Sequence, residues 1–95
     1  MSKVICCYVN LFDRNVTVFD MEEKNPEDTH TLGVIDLNEL PTSLYKLCMA
    51  VDTNKVHLFG NETYLLGLTD TIAQVAKPKN YKFNSSFQLK SPQLT

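Results

Sequence analysis

The sequence has no tryptophan, only three glycines and three cysteines, and a single arginine. Three separate glycines cannot build a glycine-rich phosphate loop, and no Walker-type, dinucleotide-binding or nucleophile-elbow motif occurs. No stretch approaches the roughly 20 apolar residues of a transmembrane helix, so we expect no membrane association. The first residues lack the cleavage region of a signal peptide, and we therefore expect a cytoplasmic protein.

Cysteine and histidine are too scattered for a metal site. Cys6 and Cys7 are neighbours in a predicted strand and point to opposite faces, so they cannot easily bond to each other. Cys48 falls on the apolar stripe of a predicted helix. His30 and His57 have no ligand partner three to five residues away. We expect three reduced, buried thiols, no metal and no cofactor.

The chain has 95 residues, of which 43% are apolar and 21% charged. That length allows one modest hydrophobic core, and the composition is that of a globular domain. We predict a single α/β domain over residues 1–77, followed by an arm over residues 78–95. The small size and the Asn-, Thr- and Lys-rich composition would suit a viral or mobile-element protein.

The first third of the chain predicts strands. Apolar and β-branched residues on both sides of a short polar turn predict an antiparallel hairpin over residues 4–21. Residues 22–28, with four acidic side chains and Pro26, predict an exposed, mobile loop. Residues 29–37 fit a third strand, and Gly33 in its middle indicates a bulge or a close backbone contact.

Two helices follow, with one strand between them. Asn38 or Thr42 would cap the first, which should end near residues 52–54. A short strand over 55–59 leads to a second helix capped by Asn61, in which Gly67 would allow close packing on the sheet. The two apolar stripes consist of Leu40, Leu44, Leu47, Cys48 and Val51, and of Leu65, Leu68, Ile72, Val75 and Ala76.

The predicted order is β-β-β-α-β-α, a mixed four-stranded sheet with two helices packed on it (α/β or α+β). This order resembles the core of ribonuclease-H-like domains, which include nucleases, resolvases and subdomains of actin-like ATPases. If the fourth strand is central or parallel to the first, the topology is ribonuclease-H-like. The nucleases place a carboxylate in the middle of the first strand to hold divalent metals. Residues 4–12 contain none, so the resemblance implies a catalytically empty domain. A metal nuclease would instead need Asp36, Glu62 and Asp70 to converge.

The C-terminal arm is the segment whose composition most strongly indicates a binding function. Eight acidic and three basic residues lie in residues 1–45, whereas three acidic and six basic residues lie in 46–95. Cations and aromatics alternate in the arm, whose candidate partner-binding residues are Lys79, Tyr81, Lys82, Phe83, Phe87 and Leu89. They could add a strand to a partner, or bind nucleic acid through Lys77, Lys79 and Lys82, or fold onto their own domain.

We therefore expect a small non-enzymatic interaction module, such as an adaptor, inhibitor or assembly factor. It would act on a protein partner, or on a second copy of itself, through a sheet edge and the C-terminal arm. The alternative is a nucleic-acid-associated protein with a catalytically degenerate ribonuclease-H-like fold.

Overall fold

A computed structural model describes residues 3–83 and 88–90 of the chain. The strands are β1 (Lys3–Asn10), β2 (Asn15–Glu22), β3 (Asn25–Asp36), β4 (Val56–Phe59) and β5 (Gln88–Lys90). The helices are α1 (Leu40–Val51) and α2 (Glu62–Ala76), and short 3₁₀ turns cover Leu37–Glu39 and Lys77–Lys79. The prediction of a mixed sheet with two helices is confirmed, and β5 adds a short fifth strand at its edge.

The strands lie in the order β3-β2-β1-β4-β5, which places β1 at the centre of the sheet. β1 pairs antiparallel with β2, and β2 pairs antiparallel with β3. β4 runs parallel to β1, and β5 runs parallel to β4. The sheet thus joins an antiparallel half, built from two hairpins, to a parallel half that contains the crossover helix α2.

One hydrophobic core lies between the sheet and both helices. The register places Ile5, Cys7, Val16 and Val18 on the same face, because Cys7 is opposite Val18 and Val9 is opposite Val16. The helices cover this face with the buried side chains Leu40, Leu44, Cys48, Leu65, Leu68 and Ile72. The two apolar stripes predicted from the sequence therefore meet on one side of the sheet.

The cap of α2 and the end of α1 near residue 52 are confirmed, whereas the start of α1 differs from the prediction. The side chain of Asn61 accepts a hydrogen bond from the amide of Tyr64, 2.9 Å away. At the start of α1, the residue before the helix is Glu39, which makes no capping bond, and Asp36 caps the preceding 3₁₀ turn instead. The helix ends at Asp52, whose left-handed conformation (φ 60°) closes the last turn.

The expected loop over residues 22–28 is wrong in its extent, because β3 begins at Asn25. Pro26 and the acidic residues after it suit an edge strand, which needs no pairing on its outer side. The bulge predicted at Gly33 is confirmed: Val18 is opposite Gly33 and Phe19 is opposite Thr31, so Leu32 is an extra residue. Gly33 has a φ of 143°, a conformation that favours glycine.

The expected packing of Gly67 on the sheet is also wrong, because a Cβ atom at this position would meet nothing within 4 Å. Among the described residues, no helix is long and apolar enough to cross a membrane.

Candidate functional site

The second face of the sheet receives neither helix, and we call it the open face. Its residues alternate with the core residues along each strand, as the strand register shows. They are Val4, Cys6 and Tyr8 of β1, Thr17, Phe19 and Met21 of β2, Thr29, Thr31 and Val34 of β3, and His57 and Phe59 of β4. None of these central residues is Asp, Glu, Lys or Arg, and the register places a charged residue of β3, Asp36, only at the end of this face, opposite Asn15.

Aromatic rings cross the middle of the open face. Tyr8 lies edge-on to Phe19, with 5.5 Å between ring centroids, and edge-on to Phe59 at 4.5 Å. His57 and Phe59 are also edge-on, at 6.4 Å. Cys6 lies between Phe19 and His57 in the register and is fully buried. The tyrosine ring keeps 44% of its surface exposed, so the cluster is fixed in place and still accessible.

A concavity of about 520 Å³ opens where β1 and β4 end. Parallel strands direct their carboxyl ends to one edge of a sheet, and ligands of α/β proteins commonly bind at that edge. The lining is uncharged: Tyr8, Val9, Asn10, Leu11, Asn15, Thr17, Phe59, Gly60 and Asn61. Gly60 permits this arrangement, since its φ is 148° and a Cβ atom there would lie 3.1 Å from the carbonyl oxygen of Val9.

The turn between β1 and β2 borders the concavity. The amide of Asp13 donates to Oδ1 of Asn10 at 3.1 Å, and Nδ2 of Asn10 donates to Oδ2 of Asp13 at 3.1 Å. Arg14 adopts a left-handed conformation with a φ of 55°. Phe12 lies at the tip with 95% of its surface exposed, and Leu11 beside it is 41% exposed.

The three cysteines are buried and none of them forms a disulfide, as the sequence predicts. Burial raises the pKa of Cys48 to about 12, while a hydrogen bond with Tyr81 opposes this shift. Burial, followed by the nearby thiols of Cys48 and Cys6, raises the pKa of Cys7 well above its ordinary value. A thiol needs a lowered pKa and access to solvent to act as a nucleophile, and these two have neither.

Asp20 is the one buried charged residue within the described part of the chain, at 5% exposure. Its carboxylate lies 3.3 Å from Nδ1 of His30 and 3.9 Å from Nζ of Lys3. These two contacts compensate the buried negative charge of Asp20 at the end of the sheet. The carboxylate therefore has a structural role in the fold.

The candidate carboxylates of a metal nuclease stay apart. Asp36 uses its carboxylate to accept from the amide of Asn38 at 3.2 Å, and Glu62 and Asp70 lie on α2. Across residues 3–83 and 88–90, no group of three or more His, Cys, Asp or Glu side chains could hold a metal ion.

The predicted arm residues meet their own domain. Tyr81 is half-buried against the core, where its ring lies edge-on to Tyr45 of α1 and to Phe83, both at 5.0 Å. The ammonium group of Lys79 lies 5.1 Å from the ring centre of Tyr45, a cation–π contact, while Lys82 is exposed. The backbone of Leu89 lies in β5 opposite Leu58, and Phe87 lies outside the described residues.

The sequence analysis did not identify the open face as a candidate site. A signal was present in β2, where Thr17, Phe19 and Met21 alternate with the core residues Val16 and Val18. Two large apolar side chains on the second face of an antiparallel strand indicate that this face is not fully solvated.

The chain matches no protein-family model, and it shows no significant similarity to a curated protein or to a solved structure. The function must therefore be inferred from the geometry of the chain itself.

Proposed function

We propose that this protein is a small non-enzymatic interaction module whose main binding surface is the open face of the sheet. The partner is a protein, either a different chain or a second copy of this one. The edge of β3 extends this binding surface. The arm stabilises the sheet from the helix side through Tyr81 and Phe83. Three buried cysteines without a disulfide fit a reducing compartment such as the cytoplasm.

The observation that carries this proposal is an accessible aromatic cluster on a sheet face whose centre is uncharged. Tyr8 is 44% exposed and Val34 is 61% exposed, and no helix covers either one. Exposed apolar surface of this kind in a globular domain marks an interaction site, and tyrosine and phenylalanine are the side chains that anchor such contacts.

The strand order supports a further proposal about the fold. In ribonuclease-H-like topology, three antiparallel strands are followed by two strands parallel to the first, with helices between them. The order β3-β2-β1-β4-β5, with β4 parallel to β1, agrees with that topology. The nucleases carry their first carboxylate in the middle of the first strand, whereas β1 contains no Asp or Glu, which supports a non-catalytic member.

Two tyrosines offer a matched test. Tyr8→Ser removes a ring from the open face, and Tyr64→Ser removes one from α2, where the side chain is 37% exposed. We expect the wild type and Tyr64→Ser to retain the same protein partner when they are isolated from cells that naturally express the chain. Tyr8→Ser should lose that partner, and titration calorimetry with the purified partner should show binding weakened about tenfold or more.

The proposal is overturned if Tyr8→Ser, folded by circular dichroism, binds every partner as tightly as Tyr64→Ser does. It is also overturned if the wild type binds no protein at all, including itself.

The alternative function, binding of single-stranded nucleic acid, is favoured by the same aromatic rings, which could stack on bases. The phosphates would need cations, and the candidates are Lys77, Lys79 and Lys82, of which Lys79 lies on the helix side of the sheet over the ring of Tyr45. Fluorescence anisotropy with labelled single strands at low salt tests this directly. Binding that is lost in the Lys79→Glu/Lys82→Glu variant would establish the alternative, and no change in anisotropy would exclude it.

A further inference from the structure

The turn between β1 and β2 presents an apolar side chain in a fixed position. Phe12 is 95% exposed, the highest value among the exposed large apolar residues of the described chain. The two hydrogen bonds between Asn10 and Asp13 hold the turn, so the ring projects from an ordered loop. An exposed phenylalanine on a rigid turn has the form of an anchor residue that fills a pocket on a partner.

A pocket of suitable character lies beside it. The open-face concavity of about 520 Å³ has Tyr8 and Phe59 as its aromatic wall, and Leu11, the neighbour of Phe12, as part of its rim. Pockets of roughly 300–1,000 Å³ accept whole small molecules, so a phenyl ring fits. Since Phe12 remains exposed, it does not fill the concavity of its own chain.

The charges next to the anchor are self-complementary. Asp13 and Arg14 follow Phe12 directly, and both are exposed. Within the described residues, neither side chain forms an ion pair. A two-fold axis beside this turn would bring Asp13 of each copy toward Arg14 of the other, which gives two opposite-charge contacts from a single symmetric arrangement.

We infer that two copies of this chain associate across a two-fold axis, and that Phe12 of each copy enters the concavity of the other. This inference rests on the proposed interaction function and names the partner. Anchor and pocket are adjacent on one surface, which is the condition for an isologous contact in which residue i meets j and j meets i. The contact is small, so the dimer is weak and concentration-dependent.

Sedimentation velocity of the purified full chain over a wide concentration range tests the inference. We expect reversible dimerisation in the wild type and a dissociation constant raised about tenfold or more by Phe12→Ser. Leu66→Ser is the matched control, because Leu66 is 58% exposed on α2, away from the turn. It should dimerise as the wild type does. Arg14→Asp should also weaken the dimer, and weaken it less at high salt.

Mixing two variants tests the reciprocal geometry. Thr17→Trp fills the concavity but keeps the anchor, and Phe12→Ser keeps the concavity but lacks the anchor. A dimer of either variant alone has no anchor inside an open concavity. In the mixed dimer, Phe12 of the Thr17→Trp chain can enter the concavity of the Phe12→Ser chain, so one of the two contacts is restored. We therefore expect the mixture to associate more strongly than either variant alone. If Thr17→Trp fails to fold, the comparison of Phe12→Ser with Leu66→Ser decides the question.

A strictly monomeric wild type, or a dimer unaffected by Phe12→Ser, overturns the inference. The proposed function then still stands if a different protein binds through Tyr8, and it falls together with the inference if no protein binds.

Discussion

Single residues decide which chemistry this domain can perform. The three cysteines act as small apolar side chains in the interior, and burial, which raises the pKa of Cys7 and Cys48, keeps these two protonated. The same burial links the stability of the fold to pH in the alkaline range, because a thiol that ionises in the unfolded chain does not ionise in the folded one.

We predict that the free energy of unfolding falls as the pH rises above 9. Unfolded thiols ionise near their ordinary pKa of 9.0, whereas the pKa of Cys48 in the folded chain is about 12 and that of Cys7 is also raised. Above pH 9 the unfolded chain binds fewer protons, so it is favoured by about 1.4 kcal/mol per pH unit for each such thiol. Below pH 8 these thiols are protonated in both the folded and the unfolded chain, so they do not make the free energy of unfolding depend on pH.

Urea unfolding at pH 7, 8, 9 and 10 measures this effect. The Cys48→Ala variant provides the control, since removal of one thiol should make the slope above pH 9 shallower. An identical slope in the variant and the wild type would show that Cys48 ionises equally in both states.

At the scale of elements, the start of the C-terminal arm, up to Phe83, packs against the helix layer of its own domain. The hydroxyl of Tyr81 donates to the carbonyl oxygen of Thr53 at 2.9 Å, and its ring contacts Tyr45 and Phe83. These contacts tie the segment after α2 to the end of α1. The arm thereby closes the core at the ends of the two helices.

Tyr81→Ala should therefore destabilise the domain by about 2–3 kcal/mol, through the lost ring contacts and the lost hydrogen bond. Lys82→Ala, one residue away and exposed, should change the stability by no more than about 0.5 kcal/mol. Thermal and urea unfolding of both variants gives the comparison. Equal stability of the two variants would mean that the arm contributes nothing to the fold.

The sequence predicted those elements that depend on local chemistry. The Asn61 cap and the Gly33 bulge depend on the conformational preferences of one residue, and both are found. The start of β3 was missed because Pro26 and its acidic neighbours are typical of loops, yet an edge strand tolerates them. The strand order, and with it the open face, depends on contacts between distant segments that periodicity does not reveal.

The candidate site, too, combines features that depend on local sequence with features that depend on contacts between distant segments. The hairpin over residues 4–21 follows from its local sequence, but the concavity does not. The exposed Phe12 does not follow from it either, since the apolar run of residues 4–12 predicts a buried strand, whereas β1 ends at Asn10. The wall of the concavity joins Tyr8 of β1 to Phe59 of β4, two residues about half the chain apart, and it forms only because these strands are parallel neighbours. Tyr81 and Phe83 were predicted to bind a partner, and that role stays a prediction; in the structure they contact Tyr45 and the core of their own domain.

At the scale of the whole molecule, β1 is the central strand that connects the two halves of the sheet. It pairs along Lys3–Asn10 with β2 and along Ile5–Tyr8 with β4, and Val4, Ile5, Cys6 and Cys7 are all buried. Opening of β1 would separate the antiparallel half of the sheet from the parallel half, so it requires unfolding of the entire domain.

We predict that the amides of Ile5, Cys6 and Cys7 exchange with deuterium only through global unfolding. Amides in the first part of β3, such as those of Glu27 and Asp28, should exchange at least about a hundredfold faster. Hydrogen exchange followed by NMR gives both rates in one experiment. Protection of Glu27 as strong as that of Cys6 would contradict the assignment of β3 as a free edge.

The bulge in β3 also bears on how the molecule avoids uncontrolled polymerisation. β3 offers a twelve-residue edge that another chain could extend into a fibril. Leu32 breaks the regular spacing of amides along that edge, and Pro26 removes one donor near its start. A strand from another chain can therefore form regular backbone hydrogen bonds with only part of the β3 edge. This interrupted pairing opposes the repeated strand addition that would build a fibril.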